Sequence, residues 1–132
     1  MSAFAVQARK YRDQFAGQTA HVLQRLTGLL LLAYLFLHVH TIHELSRGPA
    51  AFNAAVTTFR HPFFKLLEIA LFGTVILHAL NGIRITLLDL GIGHESQRRL
   101  FWIYTVGLGA LIFLGGAIPL FIGFFSVAAP KN

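Results

Sequence analysis

The sequence contains no cysteine. That excludes disulfides, thiolate metal sites and a cysteine nucleophile in this chain, and it leaves the redox compartment open. Acidic residues are scarce: five Asp and Glu in 132 residues, with charged residues of all kinds at 12%. A soluble multi-domain enzyme does not fit so little charge in so short a chain. No segment repeats another, and none is of low complexity. The abundant material is apolar, at 55% hydrophobic residues, which predicts one membrane unit over residues 1–132.

The net charge of +6 raises the question of nucleic acid. Its carriers answer against it, because Arg9, Lys10, Arg12, Arg47, Arg60, Lys65, Arg98, Arg99 and Lys131 flank the apolar runs, as charge does around membrane spans. Lipid is the expected surroundings. Three runs, about 21–44, 63–88 and 100–126, exceed the roughly 20 helical residues that cross a hydrocarbon core of about 30 Å. The predicted fold class is therefore an all-α integral membrane protein with three transmembrane helices. A cleaved signal peptide fits poorly: the first run begins after some twenty mixed residues, is too long for a signal core and lacks a small-residue cleavage site.

Residues 1–20 read as a cytoplasmic tail with a short amphipathic helix around Phe4, Val6, Tyr11 and Phe15. Outside the spans, Lys and Arg number five on the side of the tail and second loop, against four on the other. The positive-inside rule then places the N-terminus in the cytoplasm. The first loop holds Gly48, Pro49 and Pro62, of which Pro62 suits the first turn of the second helix. GIGHESQ supplies a tight second loop containing His94. In the third run Gly109, Gly116 and Gly123 recur at intervals of seven, which places them on one face for close helix approach; glycine is also simply common in membrane helices.

Ionisable residues at bilayer depth are costly and usually face a bundle interior, a cofactor or a water-filled path. In the second run His78, Asn81, Gly82, Ile85 and Asp89 share a stripe, with Gly82 leaving room for something broad and flat beside the imidazole. Arg84 and Asp89 lie toward the cytoplasmic end. In the first run His38 shares a stripe with Tyr34, Leu31, Thr27 and Gln24, whereas Arg25, Gly28 and His43 lie on a different face. At 1.5 Å per residue, His38 is roughly 20 Å beyond Arg25 and His78 roughly 16 Å from Asp89, so both are deep. His21, His40 and His43 are near the interfaces, and His61 and His94 are in loops.

A deep imidazole with a small residue nearby, no cysteine and no acid at its depth is what an axial haem ligand requires. Two alternatives stay open: a histidine bonded to a backbone carbonyl of a neighbouring helix, and a proton relay. Relays usually include an acid, and Glu68 is the one candidate, near a helix end.

These residues resemble the membrane-anchor cytochrome b subunits of succinate dehydrogenase and fumarate reductase. HVLQRLTG is similar to that family's S-x-x-H-R-x-[S/T]-G at Arg25, Thr27 and Gly28. HALNGIRITLLD is similar to its H-x-x-x-G-I-R-H-x-x-x-D at His78, Gly82, Ile83, Arg84 and Asp89. Three departures stand out: His21 replaces a quinone-site serine, and Gln24 and Ile85 each replace a histidine. Gln24, Thr27 and Gly28 with His38 ten residues on resemble instead the first helix of the di-haem members.

The resemblance implies haem b with His38 and His78 as axial ligands to the iron, either two haems shared with a partner subunit or one. It implies quinone, with a tilt toward menaquinone, bound by His21, Gln24, Arg25 and Thr27. Arg25 and Arg84 would meet a haem propionate or the quinone. Implied partners are a flavoprotein subunit, an iron–sulfur subunit and a second hydrophobic anchor subunit in a bacterial or archaeal cytoplasmic membrane. The complex would be the enzyme, with no complete active site and no catalytic residue in this chain. The rivals are a haem b subunit of another quinone-linked oxidoreductase, against which the G-I-R-x-x-x-x-D ending argues, and a haem-free proton-coupled subunit.

Overall fold

The structure, a computed structural model, describes residues 3–93 and 97–128; His94 of the second loop and the C-terminal Lys131 lie outside them. Helix α1 (Ala3–His43) runs without a break for 41 residues, on the order of 60 Å at 1.5 Å per residue, or about twice the hydrocarbon thickness. The predicted first span is its second half. The predicted tail continues the same helix from residue 3, because the segment is built from helix-forming Ala, Gln, Arg and Lys with no proline to stop it.

The first loop proves more ordered than a loop. A 3₁₀ turn, Glu44–Arg47, leads to Gly48, whose φ of 103° breaks the helical path, and Pro49 then starts α2 (Pro49–Thr58) at its first turn. Pro62 does the same for α3 (Pro62–Asp89), as predicted, with the His61 ring Nδ1 accepting from the Phe63 N–H at 3.2 Å. Beyond α3, Gly91 and Gly93 both have φ above 80°, so the two glycines of the second loop sit where side chains are disfavoured. The third span is composite: one turn of α-helix, α4 (Gln97–Arg99), a π-helical stretch at Leu100–Leu108, then α5 (Gly109–Ala128). The wider π turns bring Phe101 and Thr105 inward, where both are buried.

Helix α3 lies between its neighbours, antiparallel to both. Toward the third span, Gly109 abuts Ile76, Leu77 and Leu80, and a Cβ at Gly116 would run into the Phe72 ring. Two of the three glycines in the stripe thus mark a close approach, whereas a Cβ at Gly123 would meet nothing within 4 Å among the described residues. Gly116→Val should lower stability in detergent by about 1–3 kcal/mol through overpacking, while Gly115→Val, where an added Cβ meets nothing within 4 Å, should not; equal unfolding midpoints for the two variants would refute the approach. Near the opposite end, Ala16 and Ala20 of α1 form a small core with Phe101. Most other large apolar side chains face outward, among them Leu29 at 64%, Phe36 at 72% and Ile118 at 60% exposed. Three apolar helices with apolar exteriors make an integral membrane protein whose solvent is lipid.

Candidate functional site

Where α1 meets α3, small residues let polar side chains into the seam. A Cβ at Gly28 would stand 3.3 Å from Cε1 of His78, so the imidazole occupies the space that a side chain there would need. A Cβ at Gly82 would stand 3.4 Å from Nε2 of Gln24. The room beside Gly82 therefore holds the Gln24 amide, and the glycine that accommodates His78 comes from the facing helix. Gly28 accordingly belongs to the α3-facing side of α1 with Gln24 and Thr27, rather than to a different face from theirs. An interface stripe is wider than one row of residues, so Gln24, Thr27, Gly28 and Leu31 all fall within it.

Four side chains then form one continuous network that ends on backbone carbonyls. The Thr27 hydroxyl is 3.0 Å from His78 Nδ1 and donates to the Leu23 carbonyl at 2.7 Å. Among the described residues, His78 Nε2 is met only by the Gln24 amide nitrogen, at a long 3.4 Å. Gln24 Oε1 accepts from Asn81 Nδ2 at 3.0 Å, and the same nitrogen donates to the Ala20 carbonyl at 2.8 Å. Asn81 is wholly buried, and its Oδ1 has no partner among the described residues. Asn81 carried no role in the sequence reading, although a polar residue one turn from His78 at bilayer depth was the available signal. His78 thus bonds to side chains of the neighbouring helix rather than to a backbone carbonyl.

His38 has different surroundings. The stripe that faces α3 from Gln24 to Leu31 continues to Tyr34 and His38, yet both of these are exposed. Tyr34 Oη lies 3.2 Å from His38 Nδ1 within the same helix, with the rings 5.5 Å apart. In both histidines an α1 hydroxyl lies at Nδ1, while Nε2 faces the Gln24 amide in His78 and meets no hydrogen-bond partner in His38 among the described residues. His38 is eleven residues beyond Thr27, which contacts His78; along the helix that is roughly 16 Å.

Of the predicted quinone set, Gln24 and Thr27 lie in this network, while His21 and Arg25 are exposed on the adjoining surface one turn apart. Arg84 turns elsewhere. Only 4% exposed, its guanidinium lies over the Phe101 ring at 5.6 Å, donates to the Gln97 carbonyl at 3.4 Å, and leaves Nε without a partner among the described residues. No ion pair joins it to a carboxylate among those residues. They also contain no cluster of three or more His, Asp or Glu for a metal ion, and an axial imidazole needs none, since the porphyrin supplies the other nitrogens.

A family described as the succinate dehydrogenase/fumarate reductase transmembrane subunit matches residues 3–117 of the chain. The chain belongs to that family. The match runs from the start of α1 into α5, so it includes both helices of the network and the whole Arg84 contact. Among relatives, the succinate dehydrogenase hydrophobic membrane anchor subunit of Halobacterium salinarum is 32% identical over 114 residues, 86% of each chain. Succinate dehydrogenase 2 membrane subunit SdhC of Mycobacterium tuberculosis is 36% identical over 88 residues, 66% of this chain and 65% of the relative. The hydrophobic membrane anchor subunit of Archaeoglobus fulgidus is 28% identical over 96 residues, 73% of this chain and 82% of the relative. The family resemblance read from the two short motifs is thereby established over most of the chain.

Proposed function

We propose that this chain is the haem b-binding membrane anchor of a succinate dehydrogenase/fumarate reductase complex, linking its iron–sulfur subunit to membrane quinone. The observation that carries the reading is His78: a bilayer-depth imidazole with Nδ1 held at 3.0 Å and Nε2 met by a single long contact. Such a ring presents one nitrogen to iron once the Gln24 amide swings aside, and a long hydrogen bond is weak. Gly28 leaves the ring its place in the seam without a side chain pressing on it, and Gly82 does the same for the Gln24 amide. Bound haem would supply a one-electron store. The chain's own residues would orient the ligand, neutralise the propionates and hold quinone. Arg84, a buried guanidinium without a carboxylate among the described residues, suits an anion such as a propionate.

His38 would serve a second haem. The displacement of His38 from the level of His78, roughly 16 Å along α1, supports separate groups for the two histidines. The remaining ligands fall to a second hydrophobic subunit, which would also cover the uncovered stripe at Tyr34 and His38. The soluble flavoprotein and iron–sulfur subunits would dock on the cytoplasmic side, where the basic N-terminal half of α1 would project.

A reduced-minus-oxidised spectrum and haem count of the purified complex tests this reading. Two haems b per complex are expected, with His38→Ala losing one and keeping the other. A wild-type count of one would remove His38 from the ligand set, and an absent b-type band would remove haem altogether.

A further inference from the structure

We propose that Thr27 is a positioning residue that holds His78 as the Nδ1–H tautomer, so that Nε2 is the nitrogen carrying the lone pair, with the Gln24 amide occupying that lone pair in the absence of iron. The inference deepens the haem reading and rests on it for its purpose, though the tautomer itself follows from the network alone.

The argument runs inward from two backbone carbonyls, which can only accept hydrogen bonds. At one end, the Ala20 carbonyl requires the nitrogen of the Asn81 amide, at 2.8 Å. That same nitrogen faces Gln24 at 3.0 Å, so the Gln24 atom there must be its oxygen. The Gln24 nitrogen is then the atom facing His78 Nε2, at 3.4 Å, and it carries only donor hydrogens. Nε2 must accept. Reversing the chain fails, because it sets the Asn81 oxygen against the Ala20 carbonyl with no hydrogen between them.

At the other end, the single Thr27 hydrogen is taken up by backbone carbonyls, chiefly that of Leu23 at 2.7 Å with that of Gln24 at 3.2 Å. The hydroxyl oxygen therefore has only lone pairs to offer Nδ1 at 3.0 Å, and Nδ1 must carry the ring hydrogen. Both ends give one tautomer, and it is the one a metal bound through Nε2 requires. A hydrogen bond from Nδ1–H also raises the basicity of the opposite nitrogen, as partners outside the coordination sphere do for ligating histidines.

Two measurements test the assignment. In the haem-free full-length chain, ¹⁵N-histidine NMR in detergent micelles should give His78 a pyrrole-like Nδ1 and a pyridine-like Nε2, with the signals assigned by loss in His78→Gln. Thr27→Val keeps the shape and removes the acceptor, so it should shift the ring toward the Nε2–H form; Thr27→Ser should restore the wild-type pattern. In the assembled complex, the midpoint potential of the haem that depends on His78 should rise in Thr27→Val, where the ligand becomes a poorer donor, and return in Thr27→Ser. A wild-type ring protonated at Nε2, or a tautomer and potential both indifferent to Thr27→Val, would overturn the proposal. A complex with no b-type band would overturn the haem reading by itself, and the NMR pattern would still decide the tautomer.

Discussion

His78→Ala should abolish the b-type absorbance that depends on this histidine, leaving an assembled complex with roughly half its haem if each haem takes one ligand from this chain. The loss should be total for that haem because Ala offers no nitrogen, and no other histidine among the described residues is placed to replace it. His21 is exposed on the adjoining surface of α1, and His38 is displaced by roughly 16 Å along the helix. The fold should survive. The substitution removes two side-chain contacts, one of them long at 3.4 Å, at about 1 kcal/mol for each bond lost. The packing of α3 on the third span, through Phe72, Ile76 and Leu80 against Gly109 and Gly116, is untouched. Dithionite-reduced minus air-oxidised spectra of wild-type and variant complexes, matched for flavin, measure the effect. An unchanged band in an assembled complex would sink the assignment of His78.

Arg25→Leu should cripple electron transfer between succinate and quinone, by roughly ten- to a hundredfold, while succinate oxidation by a dye acting at the soluble subunits stays largely intact. Quinone reduction takes up two protons and two electrons, so its site must touch water on one side and the soluble electron carriers on the other. The region of α1 around His21 and Arg25 meets that requirement if the N-terminus is cytoplasmic. Arg25 cannot lose its proton and can orient a carbonyl oxygen, and a hydrogen bond from such a charged donor contributes on the order of 1.5–3 kcal/mol.

The structure makes this experiment cleaner than the sequence did. Arg25 is exposed and takes part in no ion pair among the described residues, so leucine there breaks no internal bond and adds an apolar side chain to an apolar surface. A fall in both activities would mark a role in assembly. A fall in neither would place the quinone elsewhere.

Much of the architecture was legible in the residues. Composition and run length were enough for three membrane helices, because a bilayer imposes a minimum span that a short, weakly charged chain can meet in few ways. Pro62 was read correctly as a first-turn proline, and of the three glycines read as an approach face Gly109 and Gly116 serve as one while Gly123, among the described residues, does not. Pro49 was read as part of a loop although it starts a helix in the same manner, since a run of ten residues gives too little periodicity to distinguish it. The helical continuation of α1 back to residue 3 was hidden by its mixed polarity. The family was legible through the resemblance of HVLQRLTG and HALNGIRITLLD to its motifs, and the match over residues 3–117 extends it.

The site divides along a physical line. The sequence alone determined that His78 is a polar group at bilayer depth and that Asn81, Gln24 and Thr27 are polar residues within apolar runs, all of which need partners because hydrocarbon offers none. Only the tertiary structure decided which partners they have: that Gly28 of α1, rather than Gly82 of α3, accommodates the imidazole; that Arg84 turns to Phe101 and Gln97; and that the stripe covered at Thr27 is open at His38. Periodicity assigns residues to a face, but a helix that is apolar nearly all round gives no contrast between a face against a neighbour and one against lipid. How two such helices approach and diverge is set by the sizes of side chains on both at once, and that sum exists only when the chain is folded.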